Sequence, residues 1–221
     1  AVTFGIYMTR HLSNAHFNPA VSVAMVLTGR MSAKRLPTYI AGQFIGSLLG
    51  ALTVYGIYGS SIAQYEAKKN IVRGTFESVT TAKMFGEYYN QPGGYTISMP
   101  LAIAVEALGT FLLVLIIFLF TEGVNVGRPN DNTAPILIGL TVGSLLALLA
   151  SITQAGMNPT RDFAPRLVAW MFGWGSAAFP DSSGGFFWVY ILAPLVGGIL
   201  AGYFFTKILE PAMKKQSELN K

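Results

Sequence analysis

The residues best placed to do chemistry form two copies of one short pattern, Asn18-Pro19-Ala20 and Asn158-Pro159-Thr160. Asn caps a helix because its side-chain oxygen accepts from free N–H groups of the first turn, and Pro suits the first helical position. One such pair says only that a helix begins. Here each pair opens an apolar stretch too short to cross a bilayer, about 19–29 and about 159–173. As helices these reach roughly 16 and 22 Å, against about 30 Å of hydrocarbon. Entering from opposite faces, they would meet near the midplane with their N-termini. Each N-terminus carries about half a positive charge and unsatisfied N–H groups, so the pair would repel cations and interrupt a protonated water chain. The Asn18 and Asn158 amides would offer N–H donors there. Non-helical backbone just before each copy is tolerable at that depth only if its carbonyls line a wet path. Those carbonyls belong to Asn14, Ala15 and His16 in the first copy, and to Thr153, Gln154 and Gly156 in the second. Donors alternating with acceptors along an apolar tube suit small neutral polyols.

Other chemistries find little support. The chain has no Cys and only two His, His11 and His16, so thiol chemistry, disulfides and a His/Cys metal site are not expected. Without a nucleophile–base pair an enzyme is not expected, nor is a cofactor. His16 reads as a residue that fixes its loop by hydrogen bonding. The +5 net charge sits in connecting segments and the C-terminus, where basic residues orient membrane proteins, and does not point to nucleic acid.

The elements that must carry the two motifs follow from hydropathy. Of 221 residues 52% are hydrophobic and 11% charged, and the mean hydropathy is +0.49, which suits lipid better than water. Spans are expected at about 37–58, 99–121, 134–154 and 186–209, with Pro37, Pro100 and Pro135 at helix starts. Residues 1–9 read as the end of a truncated helix. The segment Gly59–Ser98 is long, polar and mixed in charge, and is expected to cap one mouth. Each motif is followed by a full span with small residues four apart, Gly42, Gly46 and Gly50 in one and Ala193, Gly197 and Ala201 in the other. Such stripes admit a close helix neighbour, and two half-chains built alike suggest an inverted repeat. Arg30, Lys34 and Arg35, with Lys207, Lys214, Lys215 and Lys221, place their segments and the C-terminus in the cytoplasm and the Arg161 mouth outside.

SNAHFNPAVSVAM and AGMNPTRDFAPRLVAW resemble the two Asn-Pro-Ala signatures of the major intrinsic protein family, the second copy departing in Thr160. The resemblance covers essentially the whole chain. It implies an all-α integral membrane fold, an aquaporin-like right-handed bundle with two re-entrant half-helices. It also implies an N-terminal span and part of a second one upstream of Ala1. Asp162, Arg166, the Pro194-Leu195 pair and Tyr58 look like the glycerol-conducting aquaglyceroporin branch. By this likeness Arg161 is the selectivity-filter arginine, donating to solute hydroxyls and repelling cations. Glu106, deep in an apolar span, would accept N–H groups from the loop before Asn158. Leu146 and Ala155 fall at filter positions where glycerol channels commonly have Gly and an aromatic.

The expected function is passive facilitated diffusion of glycerol and related small neutral solutes with water, excluding protons and ions. A water-selective channel and a secondary transporter are the competing classes, and a structural junction protein a fourth. The resemblance further implies a homotetramer, and short termini without Cys lean toward a bacterial plasma membrane.

Overall fold

The structure is a computed structural model, and it describes residues 1–180 and 185–219. Among these, four helices are long and apolar enough to cross a membrane. Helix α1 (Val2–Ser13) leads to the short α2 (Pro19–Leu27), then to α3 (Leu36–Lys69). After a connecting segment that holds α4 (Val79–Ala82) come α5 (Met99–Thr121) and α6 (Ala134–Thr153). The short α7 (Pro159–Ala169) precedes α8 (Ala193–Phe204), which π-helical turns extend on both sides and which runs on into α9 (Glu210–Leu219).

Proline in the first turn marks the starts of α2, α3, α5, α6 and α7, where its missing N–H has no helical acceptor to lose. Pro194 also starts α8, but inside a continuous helix. The π-helical turn Phe187–Leu192 just before it absorbs the carbonyl that proline cannot serve.

Three boundaries differ from the sequence reading. Helix α3 does not stop near residue 58 but continues to Lys69. A helix leaving the bilayer no longer needs apolar residues, so hydropathy loses it while its hydrogen bonds go on. The second half-helix is α-helical only to Ala169 and runs on as a π-helical turn from Trp170, which breaks at Phe172 and Gly173, where φ reaches +102° and the chain turns. The last span does not stop near residue 209 but continues as helix through Leu219; Lys221 lies outside the described residues.

Packing follows the repeat. Half-helix α2 lies on α8, and half-helix α7 lies on α3, so each is seated on a span from the other half of the chain. Helix α5 packs along α8, and α1 along α6. The α5–α8 contact is close because Gly197 faces the Ala107 carbonyl, with no room for a Cβ. Gly198 stands over α2, where a Cβ would lie 2.9 Å from the Ala20 carbonyl oxygen. The matching stripe on α3 behaves differently. Gly42, Gly46 and Gly50 have no neighbour within 4 Å, and Ile45, Leu49 and Ile57 on the same helix are exposed. That face of α3 points away from the rest of the chain.

The connection after α3 is a folded cap. Val79, Ala82, Phe85 and Tyr88 pack with Ile62 of α3, with Val168 of α7 and with Trp174, Ala177 and Ala178 beyond it in one buried cluster. Arg73 locks its edge, 2.8 Å from Glu66 and 2.7 Å from the Phe172 carbonyl, with its guanidinium 3.8 Å over the Trp174 ring.

Candidate functional site

The two half-helices meet tip to tip. Asn18 and Asn158 both take extended backbone and cap their own helices: Asn18 Oδ1 accepts from the Ala20 N–H at 2.9 Å, and Asn158 Oδ1 accepts from Thr160 and Arg161 N–H groups at 3.2 and 3.3 Å. Thr160 adds its hydroxyl to the same oxygen at 3.1 Å, so the departure from Ala at this position gives the cap one more donor. Each amide nitrogen then reaches across. Asn18 Nδ2 donates to the Met157 carbonyl at 2.7 Å, and Asn158 Nδ2 donates to the Phe17 carbonyl at 2.8 Å. Neither amide can flip, since reversal would set oxygen against a carbonyl and NH₂ against an N–H. An amide nitrogen carries two N–H bonds. One is spent on the opposite loop and one is left for whatever fills the space beside it.

That space is a cavity of about 630 Å³ lined by both Asn residues. Its polar wall includes Asn14, Ala15, His16, Phe17, Ala155, Gly156 and Arg161, and its apolar wall Val21, Met25, Leu113, Ile138, Val142 and Leu146. Toward the far end stand Arg30, Glu122, Arg128 and Asp131. A cavity whose apolar wall faces these polar groups strips a solute of water while the polar groups serve its hydroxyls.

The loops before the half-helices hold strained backbone. Asn14 and Ala15 in the first, and Gln154, Ala155 and Met157 in the second, all have positive φ between 49° and 63°. Non-Gly residues tolerate this only where the surroundings over-determine it. For the second loop Glu106 does so: its two carboxylate oxygens accept from the Gly156 and Met157 N–H groups at 2.9 and 2.6 Å. Gly156 has no room for a side chain, since a Cβ would sit 2.8 Å from the Tyr190 ring. For the first loop, Gln43 donates to the His16 carbonyl at 2.7 Å, and Tyr39 packs on the imidazole with ring centroids 5.3 Å apart. His16 also approaches the Ser22 hydroxyl at 3.5 Å.

A family model described as Major intrinsic protein matches residues 1–205. The chain belongs to the major intrinsic protein family. It is 35% identical over 210 residues to human aquaporin-9, covering 95% of this chain and 68% of that protein. To the glycerol uptake facilitator protein of Escherichia coli K12 it is 36% identical over 212 residues, covering 94% of this chain and 73% of the relative. The X-ray structure of the aquaglyceroporin from Plasmodium falciparum superposes with a TM-score of 0.81 at 26% identity, covering 96% of this chain and 80% of that one. The fold is therefore the aquaporin fold, and members of the major intrinsic protein family are channels, not enzymes.

Within this major intrinsic protein the sequence-predicted residues are distributed unevenly. Thr153 and Gln154 do not line the cavity. Thr153 is the last residue of α6, fully buried, and its carbonyl accepts from the Tyr190 hydroxyl at 2.9 Å; the Gln154 side chain turns to the cap and accepts from the Tyr88 N–H at 2.7 Å. The His16 carbonyl is likewise engaged by Gln43, while the Phe17 and Met157 carbonyls, at the ends of the two non-helical stretches, hold the two amides. Leu146 and Ala155 both border the cavity, but Ala155 is 1% exposed, set among Leu145, Leu149 and Met157. Asp162 does not face the cavity. It forms a buried pair with Arg166 at 2.7 Å and accepts from the Glu87 N–H at 2.7 Å. Tyr58 is exposed on α3 and stands outside the cavity wall, and Pro194 is buried in α8. Sequence reasoning missed Glu87 itself, whose carboxylate pairs with Arg161. It is one acid among several in a polar segment, and nothing in its spacing marks it.

Proposed function

We propose that this chain conducts glycerol and similarly small neutral solutes, with water, down their gradients and excludes protons and ions. The observation that carries this is the crossed pair of amides, each capping its own half-helix and anchored on the other's loop, inside one cavity lined by polar and apolar residues. Two helix N-termini converge there, so the middle of the path is positive without bearing a mobile proton. The spare amide N–H groups serve solute oxygens, and the free carbonyls of the approach serve solute hydroxyl hydrogens. The names of relatives, glycerol uptake facilitators and aquaporin-9, support the same solute class.

In this reading Arg161 is the narrow filter at one mouth, with Leu146 and Ala155 contributing its apolar side. Glu106 and His16 brace the two loops. Pumping against a gradient is disfavoured because Glu106, the carboxylate buried in α5, is engaged by backbone N–H groups and does not line the cavity. The protein is integral to a membrane. We place its C-terminus in the cytoplasm of a bacterial cell, from Arg30, Lys34 and Arg35 after α2 and Lys207, Lys214 and Lys215 near the end. The outward Gly42–Gly46–Gly50 face of α3 supports a homotetramer, since small residues four apart let another helix approach.

Stopped-flow light scattering on proteoliposomes of the full-length protein tests the assignment. With glycerol as osmolyte, vesicles should shrink and then re-swell. Shrinkage without re-swelling would mean a water-only channel, and solute accumulation driven by an ion gradient would mean a transporter.

A further inference from the structure

Arg161 is not alone at its mouth. One guanidinium nitrogen is in direct ion contact with Glu87, whose side chain is 7% exposed while that of Arg161 is 43% exposed. The arginine thus faces open space with a carboxylate held behind it. The cap is built to deliver that carboxylate. The Glu87 N–H donates to Asp162 at 2.7 Å, the Glu87 carbonyl accepts from Arg166, and the next N–H, of Tyr88, donates to Gln154 at 2.7 Å. Asp162 and Arg166 are paired with each other at 2.7 Å, and Arg166 also donates to the Ala178 carbonyl at 2.7 Å. Gly86 precedes the glutamate because a Cβ there would lie 2.6 Å from Arg166 Cγ. Three residues of the cap are therefore fixed on the second half-helix and its approach loop, and Glu87 has one place to point.

The pair also stands between two spaces. Arg161 lines the cavity that holds the crossed amides, whereas Glu87 lines a second cavity of about 620 Å³ on the cap side, walled by Tyr88, Tyr95 and Phe186 among others. We propose that Glu87 is a specificity-determining residue of the conduit, cancelling the charge of Arg161 and holding its remaining donors toward the path. An unpaired guanidinium in a poorly hydrated mouth would attract small anions and bind them. A paired one offers directed N–H groups with little net charge, and the adjacent carboxylate adds an acceptor. The mouth then takes neutral solutes that carry donor and acceptor on one group, as hydroxyls do, and turns away both signs of ion. This inference rests on the channel reading above.

The test uses the full-length protein in proteoliposomes. Wild-type glycerol re-swelling checks the channel reading by itself, and if it is absent that reading fails. Given wild-type conduction, Glu87→Gln should lower the ratio of glycerol to water permeability at least about fivefold, the factor expected when a charge-assisted bond becomes a neutral one. The same variant should admit nitrate, and adding Arg161→Gln should remove that leak. An unchanged ratio with no nitrate uptake overturns the proposal. So does a proportional fall of all fluxes, which is what a merely structural role gives. Should Glu87→Gln fail to fold, Arg161→Gln alone decides, because it leaves the carboxylate unpaired. It should admit sodium, and a sodium-tight variant overturns the proposal.

Discussion

At the scale of single residues the site depends on groups that hold backbone in a conformation it would not keep alone. Glu106 is the clearest case. Burying a carboxylate in an apolar span is costly unless it is satisfied, and here the Gly156 and Met157 N–H groups satisfy it while Met157 keeps φ at 49°. The Met157 carbonyl in turn holds the Asn18 amide. Glu106→Ala should therefore cost about 2–4 kcal/mol, the range for losing hydrogen bonds to a buried charged acceptor, and should lower glycerol and water flux together. Thermal unfolding in detergent and stopped-flow flux check this; a variant with wild-type stability and conduction would show that the loop holds its shape unaided. Gly86 makes the converse point. Nothing local demands a glycine, yet Gly86→Ala puts a methyl against the Arg166 side chain. Overpacking of this kind costs about 1–3 kcal/mol. The cap should lift from α7, seen as faster proteolysis between residues 70 and 98, and the result to watch for is protection equal to wild type. Tyr88 just beyond stays a neutral donor at any physiological pH, since burial pushes its phenol up to about 12.

At the scale of elements, what could be read from the chain and what could not divide along a physical line. The half-helices α2 and α7 were legible because capping is local: Asn then Pro, followed by too few apolar residues to cross. The bodies of α5 and α6 were legible because lipid demands apolar side chains on every face. The reach of α3 to Lys69 was not, because hydropathy loses a helix once it leaves the lipid, and the folding of the cap and the place of Glu87 were not, because both depend on contacts far apart in sequence. The Arg73–Trp174 stack joins residues that no periodicity relates. The small-residue stripes were readable as stripes, but only packing tells that Gly197 and Gly198 are used inside the chain while Gly42, Gly46 and Gly50 are not. The difference gives a prediction. Gly198→Val should push α8 off α2, since even a Cβ would meet the Ala20 carbonyl oxygen at 2.9 Å, whereas Gly46→Val meets nothing within 4 Å in its own chain. The first should lower the melting temperature and displace Asn18, with flux falling. The second should leave the subunit fold intact and act, if at all, on assembly, which size-exclusion chromatography of the two variants separates.

At the scale of the whole molecule the two halves share one electrostatic task. Each half-helix is seated on a span of the opposite half, and each caps itself with an Asn that then grips the other's loop. Neither N-terminus could be moved without moving the other. Their summed charge of about one positive unit resides in the peptide dipoles of the two first turns at the middle of the path and belongs to no titratable side chain, so it persists at every pH. Asn158→Asp tests that balance directly. The variant keeps the cap, because a carboxylate oxygen accepts from the Thr160 and Arg161 N–H groups as the amide oxygen does. It loses the donor to the Phe17 carbonyl and places a full negative charge where the field was positive. At an effective dielectric of about 20, a cation about 4 Å away gains about 4 kcal/mol from that charge, enough to cancel the repulsion of both helix ends. Sodium conductance should appear in voltage-clamped bilayers while glycerol flux falls, because the solute now meets an acceptor where it found a donor. If the bilayers stay sodium-tight and glycerol passes at the wild-type rate, cations are stopped elsewhere along the path and the converging N-termini are not what stops them.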